Sequence, residues 1–249
     1  MGTDTEILKA RKMMKQKIDI CDFHAHILPR ADHGSSSIEN SIGQLSIASK
    51  CGVSRIVATP HFYPHKTKVS HFLSKRDKSY MDLAPNIPEN ISIRLGAEVL
   101  LCDNIENLPD IEKLCIAGSN ILLLELPFTN YSDSYADSAS VLIDKGINIV
   151  LAHAERYDPI QVQEFIALGA KVQINAKSLL GLFSPTKAIM KWLYDGDVVA
   201  IGSDIHGLSK TAYKGFDNSF KKINRYLPSI KAASDAMWEK FEAPNALHV

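Results

Sequence analysis

The chain has 249 residues, of which 45% are hydrophobic, and its 28 lysine and arginine residues balance 28 aspartate and glutamate residues. This composition is typical of an ordinary globular protein, and the balanced charge argues against a general binder of nucleic acid or of membrane surfaces. No apolar run approaches the roughly 18 residues of a membrane span, so we expect none and take the cytoplasm as the default location.

Seven short runs rich in Ile, Val and Leu predict β-strands. In chain order they cover residues 17–23, 54–60, 91–99, 120–128, 147–153, 171–176 and 197–204. The runs are nearly continuous in apolar residues, which is typical of parallel strands that are covered on both faces. The sequence therefore predicts a parallel sheet.

Helices are predicted between these strands. They cover residues 36–51, 71–83, 134–145, 159–168 and 185–195. The first begins where Ser36 and Glu39 have the spacing of a capping box, and Gly146 and Gly196 follow the ends of later helices. The interval 100–119 is less regular.

Seven β/α repeats without a Gly/Ser-rich linker predict one α/β domain over residues 1–249, with an N-terminal extension at 1–16 and a partly helical C-terminal segment at 215–249. A closed TIM-like barrel and an open doubly wound sheet both accommodate this order. We favour the barrel, and no GxGxxG or GxxxxGK stretch supports a nucleotide-binding sheet. In a barrel, functional residues lie where the C-terminal ends of the strands converge.

The four cysteines argue against one class of phosphatase. They are widely spaced and no two form a CxxC pair, so we expect buried, reduced thiols. A cysteine phosphatase needs an arginine six positions after its nucleophile. The cysteines Cys21, Cys51, Cys102 and Cys115 are followed at that distance by Ile27, Val57, Leu108 and Ile121. We therefore exclude a cysteine-based mechanism.

Residues that can bind metal ions lie near the ends of six of the seven predicted strands or directly after them. These residues are His24, His26, His61, Glu98, Glu125, His153, Asp204 and His206. The sixth strand ends instead in Asn175, which can form hydrogen bonds but is a poor ligand for a transition metal. Five imidazoles and three carboxylates are too many ligands for one tetrahedral ion. They suit two or three ions of manganese, iron or zinc in a hydrolytic role.

Two carboxylates and one HxH pair strengthen this interpretation. Glu125 lies within the apolar run ILLLELPF, and Glu98 lies in a similar setting. An unpaired buried carboxylate is costly, so each needs a cation, for which a buried arginine is the alternative to a metal ion. His24 and His26 point to the same side of an extended strand because side chains alternate with period two.

The motifs DFHAHILP, IVATPHF, GAEV, LLLELP, LAHAERYD and GSDIHG resemble, in this order, those of the PHP (polymerase and histidinol phosphatase) superfamily. They are most similar to the bacterial protein-tyrosine phosphatases of the CpsB/CapC type, which are linked to capsule and exopolysaccharide systems. The resemblance covers residues 17–210. It implies a distorted (β/α)7 barrel, the PHP fold, with a site for three divalent ions, manganese being preferred, on its C-terminal face.

The resemblance also implies a set of ligands for each ion. His24, His26 and Asp204 hold the first ion, and Glu98 bridges it to a second ion that is completed by Glu125 and His153. His61 and His206 hold the third ion together with an acidic residue of the first loop.

That acidic residue is where the sequence departs from the family. The family has DDG in the first loop, whereas this chain has Asp32, His33 and Gly34, so His33 aligns with the expected ligand. An imidazole can replace a carboxylate as a ligand at the loss of one negative charge. Asp32 is the alternative ligand, or an acceptor for a ligating imidazole.

The implied activity is hydrolysis of a phosphomonoester by metal-activated hydroxide, without a covalent enzyme intermediate. Arg156 would neutralise the phosphate oxygens together with Lys210, the nearest cation to a position where the family has a second arginine. Phe62, Tyr63 and Tyr157 either flank the substrate ring or pack in the protein.

The substrate implied by the resemblance is phosphotyrosine in the tail of a bacterial tyrosine kinase of capsular or exopolysaccharide synthesis. Two alternatives stay open: a small-molecule phosphatase of the histidinol phosphate type, and a catalytically silent metal-binding regulatory domain. Packing of the termini against the barrel or in the contacts of a homo-oligomer also stays open.

Overall fold

The computed structural model describes residues 21–128, 131–132, 134–180, 186–209, 212–213, 216 and 220–240. Its strands all run parallel in one curled sheet of nine strands. They are β1 (Asp22–Ala25), β2 (Arg55–Ala58), β3 (His61–Phe62), β4 (Ser92–Leu95), β5 (Glu98–Leu100), β6 (Ile121–Glu125), β7 (Asn148–Leu151), β8 (Lys171–Asn175) and β9 (Val198–Gly202). Their order along the sheet is β3-β5-β6-β7-β8-β9-β1-β2-β4.

The nine strands differ from the seven predicted for two reasons: β3 lies just beyond the predicted run 54–60, and the predicted run 91–99 is divided into β4 and β5. Between β2 and β3, Pro60 has no N–H to donate to a continuous ladder. Between β4 and β5, the N–H of Gly96 donates to Ala58 O at 2.9 Å, and the N–H of Glu98 donates to Pro60 O at 3.1 Å. Each predicted run nevertheless contributes to the sheet, so the parallel architecture is confirmed.

Among the described residues, α-helices follow several strands, and one lies at the C-terminal end of the described chain. They are α1 (Ile38–Lys50), α2 (Val69–Leu83), α3 (Ser134–Asp144), α4 (Pro159–Ala167), α5 (Lys187–Asp195) and α6 (Leu227–Glu239). The five predicted helices are confirmed to within two residues, and α6 lies in the segment expected to be partly helical. The irregular interval 100–119 contains two short 3-10 helices, Ile105–Asn107 and Ile111–Leu114.

The cap of α1 differs from its prediction by one residue. Ser37, and not Ser36, is the N-cap, because its extended backbone lets Oγ accept a hydrogen bond from the N–H of Asn40 at 3.2 Å. At the other end of a helix, Gly196 follows α5 with a φ of 76°, a left-handed conformation that glycine adopts without steric cost.

Alternate residues of single strands pack in two different hydrophobic clusters. In β6, Leu122 and Leu124 belong to the larger cluster, which includes residues of the helices, whereas Ile121 and Leu123 belong to a smaller one. Phe23 of β1 also lies in the smaller cluster, which among the described residues contains none from α1 to α5. The smaller cluster therefore lies on the inner face of the curled sheet.

The C-terminal helix α6 covers one end of this inner face. Its Met237 and Trp238 pack against the smaller cluster. Arg94 of β4 lies 4.8 Å and Arg55 of β2 lies 5.8 Å from the centroid of the Trp238 ring, and Arg55 also forms a 2.8 Å ion pair with Asp235. Because Arg55 begins β2, α6 lies at the N-terminal end of the strands, opposite the end that carries the candidate ligands.

None of the described helices is both long enough and apolar enough to cross a membrane.

Candidate metal centre

The candidate ligands continue the inner face of the sheet beyond its small cluster. In β6, Glu125 lies two residues after Leu123 and four after Ile121, both of which belong to this cluster. His61 likewise lies four residues after Val57 of β2. Since side chains of a strand alternate, these residues point to the same face. The strand ends of a curled parallel sheet then bring the ligands together, as the sequence predicts.

His24 and His26 lie fully buried at the end of β1. The ladder of β1 is irregular between Asp22 and Ala25, which permits the face of the strand to change after Phe23. The Nε2 atoms of the two histidines are 3.0 Å apart, so the predicted convergence of the HxH pair is confirmed. Neighbouring Gly202 leaves the room that His24 needs, because a Cβ there would lie 2.6 Å from His24 Cβ.

Outer hydrogen bonds fix which nitrogen of each ring faces the centre. His24 Nδ1 lies 3.1 Å from Gln173 Oε1, which also accepts the N–H of His153 at 2.7 Å and must therefore be the oxygen of that amide. His26 Nδ1 lies 2.7 Å from Asp32 Oδ2. Both Nδ1 atoms consequently donate, so that in the neutral rings both Nε2 lone pairs point into the centre.

Glu98 is the hub of the cluster. Its Oε2 lies 3.3 Å from His24 Nε2, 3.2 Å from His26 Nε2 and 2.8 Å from His61 Nδ1. Its Oε1 lies 2.8 Å from His153 Nε2. Burial raises the pKa of Glu98, but the charge of His24 and the hydrogen bond from His153 outweigh it and hold the pKa well below its ordinary value.

The cluster fits divalent cations. Three buried atoms, His61 Nδ1, Glu98 Oε2 and His206 Nε2, have no hydrogen-bond partner among the residues that the structure describes. Three overlapping groups have ligand atoms within 4.8 Å of one another: His26, His61 and His206; His24, His26 and Glu98; His61, Glu98 and Glu125. Lone pairs that face one another without hydrogens between them need a cation, and this nitrogen and oxygen donor set suits manganese, iron or zinc.

The pKa of His26 reflects the same demand for positive charge. Burial lowers this pKa, but the hydrogen bond to Asp32 and the negative charges of Asp32 and Glu98 outweigh burial and raise it to about 10. The ring thus gains more from neighbouring carboxylates than it loses by leaving water.

Glu125 has no arginine partner, which was the alternative to a metal ion. Within the described part of the chain, the basic side chains within 4 Å of its oxygens are those of His153, whose Nε2 is 3.7 Å from Oε1, and His61, whose Nδ1 is 3.9 Å from Oε2. Burial, together with the negative charge of Glu98, raises the pKa of Glu125 to about 8. A cation between the two carboxylates would remove their repulsion.

The first loop uses Asp32 as an outer partner. Besides His26, its Oδ2 accepts the backbone N–H of His61 at 3.0 Å, and its Oδ1 accepts that of Gly34 at 2.7 Å. The loop also packs tightly, because a Cβ on Gly34 would lie 2.1 Å from His26 Cβ. Of the two alternatives for Asp32, the structure therefore favours the acceptor for a ligating imidazole.

His33 lies exposed at the rim of the centre. Its ring stacks on that of His61, with centroids 4.8 Å apart and planes at 8°, and lies 4.7 Å from the ring of His206. It belongs to none of the three ligand groups found among the described residues. Its assignment as a ligand stays a prediction.

Asp204 connects the cluster to a cationic cavity. Its Oδ1 faces Nε2 of His26 at 3.6 Å, whereas its Oδ2 accepts hydrogen bonds from Arg156 and, at 3.1 Å, from Asn175 Nδ2. Burial raises the pKa of Asp204, but His24 and Arg156 hold it well below its ordinary value. The predicted hydrogen-bonding role of Asn175 is confirmed.

The cavity beside this carboxylate has a volume of about 430 Å³. Its lining includes His33, Arg156, Lys177, Asp204, His206 and Ser209. A cleft that joins a cluster of metal-ligand types to two cationic side chains can hold an anionic substrate against bound ions.

Four further side chains can be compared with the sequence analysis. Lys210 lies outside the described residues. Phe62 does not flank the site, because it is fully buried and packs edge-on against Phe72. Tyr63 stacks on His61 with centroids 5.3 Å apart. The hydroxyl of Tyr157 lies 3.0 Å from His153 Nδ1 and also accepts the N–H of Leu126.

Three residues of the site were not predicted. Gln173 lies within a strand and has no neighbouring motif, although its place two residues before Asn175 puts it on the same face. Lys177 follows the one strand that lacks a ligand, and Phe128 follows LLLELP as an exposed aromatic residue.

A sequence model of the family described as "Capsular polysaccharide synthesis, CpsB/CapC" matches residues 20–229. The chain belongs to the CpsB/CapC family. It is 30% identical over 207 residues to tyrosine-protein phosphatase CpsB of Streptococcus pneumoniae, covering 75% of this chain and 83% of that protein. It is 28% identical over 200 residues to tyrosine-protein phosphatase YwqE of Bacillus subtilis (strain 168), covering 75% and 77%.

A solved structure of the CpsB/CapC family has the same fold. It comes from the crystal structures of YwqE from Bacillus subtilis and CpsB from Streptococcus pneumoniae, which are described as unique metal-dependent tyrosine phosphatases. The match has a TM-score of 0.69 at 22% identity and covers 90% of this chain and 96% of the other. The structural match confirms the fold, and the match of the family model confirms the family membership that the motifs indicated.

Proposed function

We propose that this CpsB/CapC chain is a metal-dependent phosphatase that removes phosphate from tyrosine in a protein substrate, the tail of a tyrosine kinase of capsular or exopolysaccharide synthesis. One observation carries the proposal. The Glu98 carboxylate contacts four imidazoles beside a cavity with two cations. The names of the relatives CpsB and YwqE support the choice of phosphotyrosine.

We further infer that the curled sheet closes as a distorted (β/α)7 barrel. The two end strands of the sheet are β3, which follows β2 closely along the chain, and β4, which closely precedes β5. β2 pairs with β4, and β3 pairs with β5. Taking each interrupted run as one unit, every unit has a neighbour on both sides. The ligands then lie at one mouth of the barrel and α6 at the other.

Three divalent ions, manganese before iron or zinc, are proposed for the centre. His24, His26 and Asp204 would hold the first, Glu125 and His153 the second, and His61, His206 and His33 the third, with Glu98 between the first two. Bound ions supply a water that is acidic enough to give hydroxide near neutral pH. This assignment follows the family motifs, and the short distances of Glu98 support it.

The protein's own residues orient the substrate. Arg156 would turn from Asp204 to the phosphate, where its planar guanidinium can donate two parallel hydrogen bonds to non-bridging oxygens. Since these bonds strengthen as charge accumulates on the oxygens, Arg156 acts mainly in the transition state. A tyrosyl leaving group has a pKa near ~10 and needs little help from a general acid.

An aromatic wall beside the centre supports an aryl phosphate. Phe128 is 62% exposed, and its ring lies 6.1 Å from that of the proposed ligand His153, with planes at 19°, and 5.5 Å from that of Tyr157. An exposed ring face next to the cluster can stack on a tyrosyl ring. A substrate without an aromatic ring would gain little from it.

The test combines metal analysis with hydrolysis of an aryl phosphate. Wild type should lose activity on chelation and regain it with manganese, and His24→Ala should stay inactive while His71→Ala, an exposed histidine of α2, behaves as wild type. Activity that survives both chelation and His24→Ala would contradict the metal mechanism. A preference of about tenfold for histidinol phosphate over a phosphotyrosine peptide would favour the small-molecule alternative.

A further inference from the structure

Lys177 is a cation of the cavity that no family motif assigns. It lies in the 3-10 helix Ala176–Leu179, directly after β8. Its Nζ is 3.6 Å from Asp204 Oδ2, the same oxygen that accepts the hydrogen bond from Arg156. We infer that Lys177 is the second phosphate-binding cation of this site, the role for which the sequence offered only Lys210.

The charges around Asp204 support this role. Arg156 and Lys177 share one carboxylate oxygen, so together they carry one positive charge more than their partner removes. The excess faces a cavity of about 430 Å³ that is also lined by Ser209. A phosphomonoester carries close to two negative charges at neutral pH, which suits two cations on one side of it.

The contact of Lys177 with Asp204 is loose. A separation of 3.6 Å exceeds that of a normal charge-assisted hydrogen bond, and the Lys177 side chain is 48% exposed. A lysine of this kind keeps the freedom to meet an incoming anion, because its ammonium group is a point charge on a flexible stem. The ammonium group of Lys177 can therefore leave the Asp204 carboxylate and contact the phosphate when substrate binds.

The same strand offers a matched control. Lys171 begins β8 and so lies at the end of this strand opposite to Lys177. Its side chain is 45% exposed, and its Nζ forms a 2.8 Å ion pair with Asp197. The two lysines have similar exposure and each has an aspartate partner. They differ in whether they line the cavity.

The inference rests on the proposed function, so its test measures binding and turnover separately. Inorganic phosphate binding to the manganese-loaded protein is measured by titration calorimetry, and kcat and KM are measured with para-nitrophenyl phosphate. Lys177→Gln should weaken phosphate binding and raise KM by about tenfold, Lys177→Arg should stay within about threefold of wild type, and Lys171→Gln should change neither.

Each outcome decides one question. Phosphate binding by Lys177→Gln that equals wild type would overturn the inference, even where turnover confirms the phosphatase. Weaker phosphate binding in a protein that hydrolyses no aryl phosphate would support the inference and overturn the proposed function. A wild-type protein that binds no phosphate would overturn the inference, and thermal unfolding verifies that all variants are folded.

Discussion

Asp32 accepts a hydrogen bond from His26 Nδ1 at 2.7 Å and so turns the other nitrogen of this ring towards Glu98. A carboxylate behind a ligating imidazole fixes its tautomer and raises its basicity. The same carboxylate holds the backbone N–H groups of His61 and Gly34, so it also joins the first loop to the strand end beside it.

Asp32→Asn should therefore weaken metal binding without removing a ligand. Loss of the negative charge makes His26 less basic, and we expect metal affinity to fall by about 10- to 100-fold. Titration of the apoprotein with manganese measures the change. Asp110→Asn, which removes only a surface pair with Lys113, is the control, and equal affinities of the two variants would contradict the role of Asp32.

The aligned position His33 gives a second prediction. If its imidazole replaces the family carboxylate, His33→Ala should lose one bound ion per chain, and His33→Asp should restore it, because either residue type can be a ligand. Elemental analysis by plasma mass spectrometry after gel filtration counts the ions. Full occupancy in His33→Ala would show that this ring only stacks on His61 and His206.

Tyr157 gives a prediction about stability. Its hydroxyl contacts His153 Nδ1 at 3.0 Å and accepts the N–H of Leu126 at 3.1 Å, so Tyr157→Phe leaves two buried polar groups unpaired. We expect the free energy of unfolding to fall by about 1–3 kcal/mol, as measured by urea denaturation. Tyr194→Phe, at a residue that is 75% exposed, should lower the free energy of unfolding by less than about 0.5 kcal/mol. Similar losses in both variants would disprove this role of the hydroxyl.

The cysteines provide a test of the reaction class. Cys21 and Cys115 are buried, and burial raises the pKa of Cys115 to about 12, whereas Cys51 and Cys102 are partly accessible. Iodoacetamide should therefore modify at most the latter two in the native protein, as peptide mass spectrometry can determine. Activity should persist after this alkylation, and its complete loss would reopen a role for a thiolate.

Much of the fold was predictable because its signals are local. A strand such as Ile121–Glu125 is apolar throughout, and a helix such as Ser134–Asp144 shows its period and ends close to a glycine. The sequence did not predict β3, because it lies beyond Pro60, where the run 54–60 ends. It did not predict the break at Gly96, because the run 91–99 continues across this residue. The N-cap was misplaced by one residue since Ser35, Ser36 and Ser37 are equivalent in sequence.

The sequence by itself predicted which side chains meet at the ends of the strands. His24, Glu98, Glu125, His153 and Asp204 each follow an apolar run, and parallel strands carry such ends to the same edge of a sheet. Tertiary structure alone decided how these side chains are held and what surrounds them. Gln173 contacts His24 across 149 positions of the chain, and Lys177 contacts Asp204, which lies just after the end of the neighbouring strand β9. Neither contact has a local signature in the sequence. Such contacts depend on the order of the strands in the sheet, in which β8, β9 and β1 are neighbours, and no short motif contains that order.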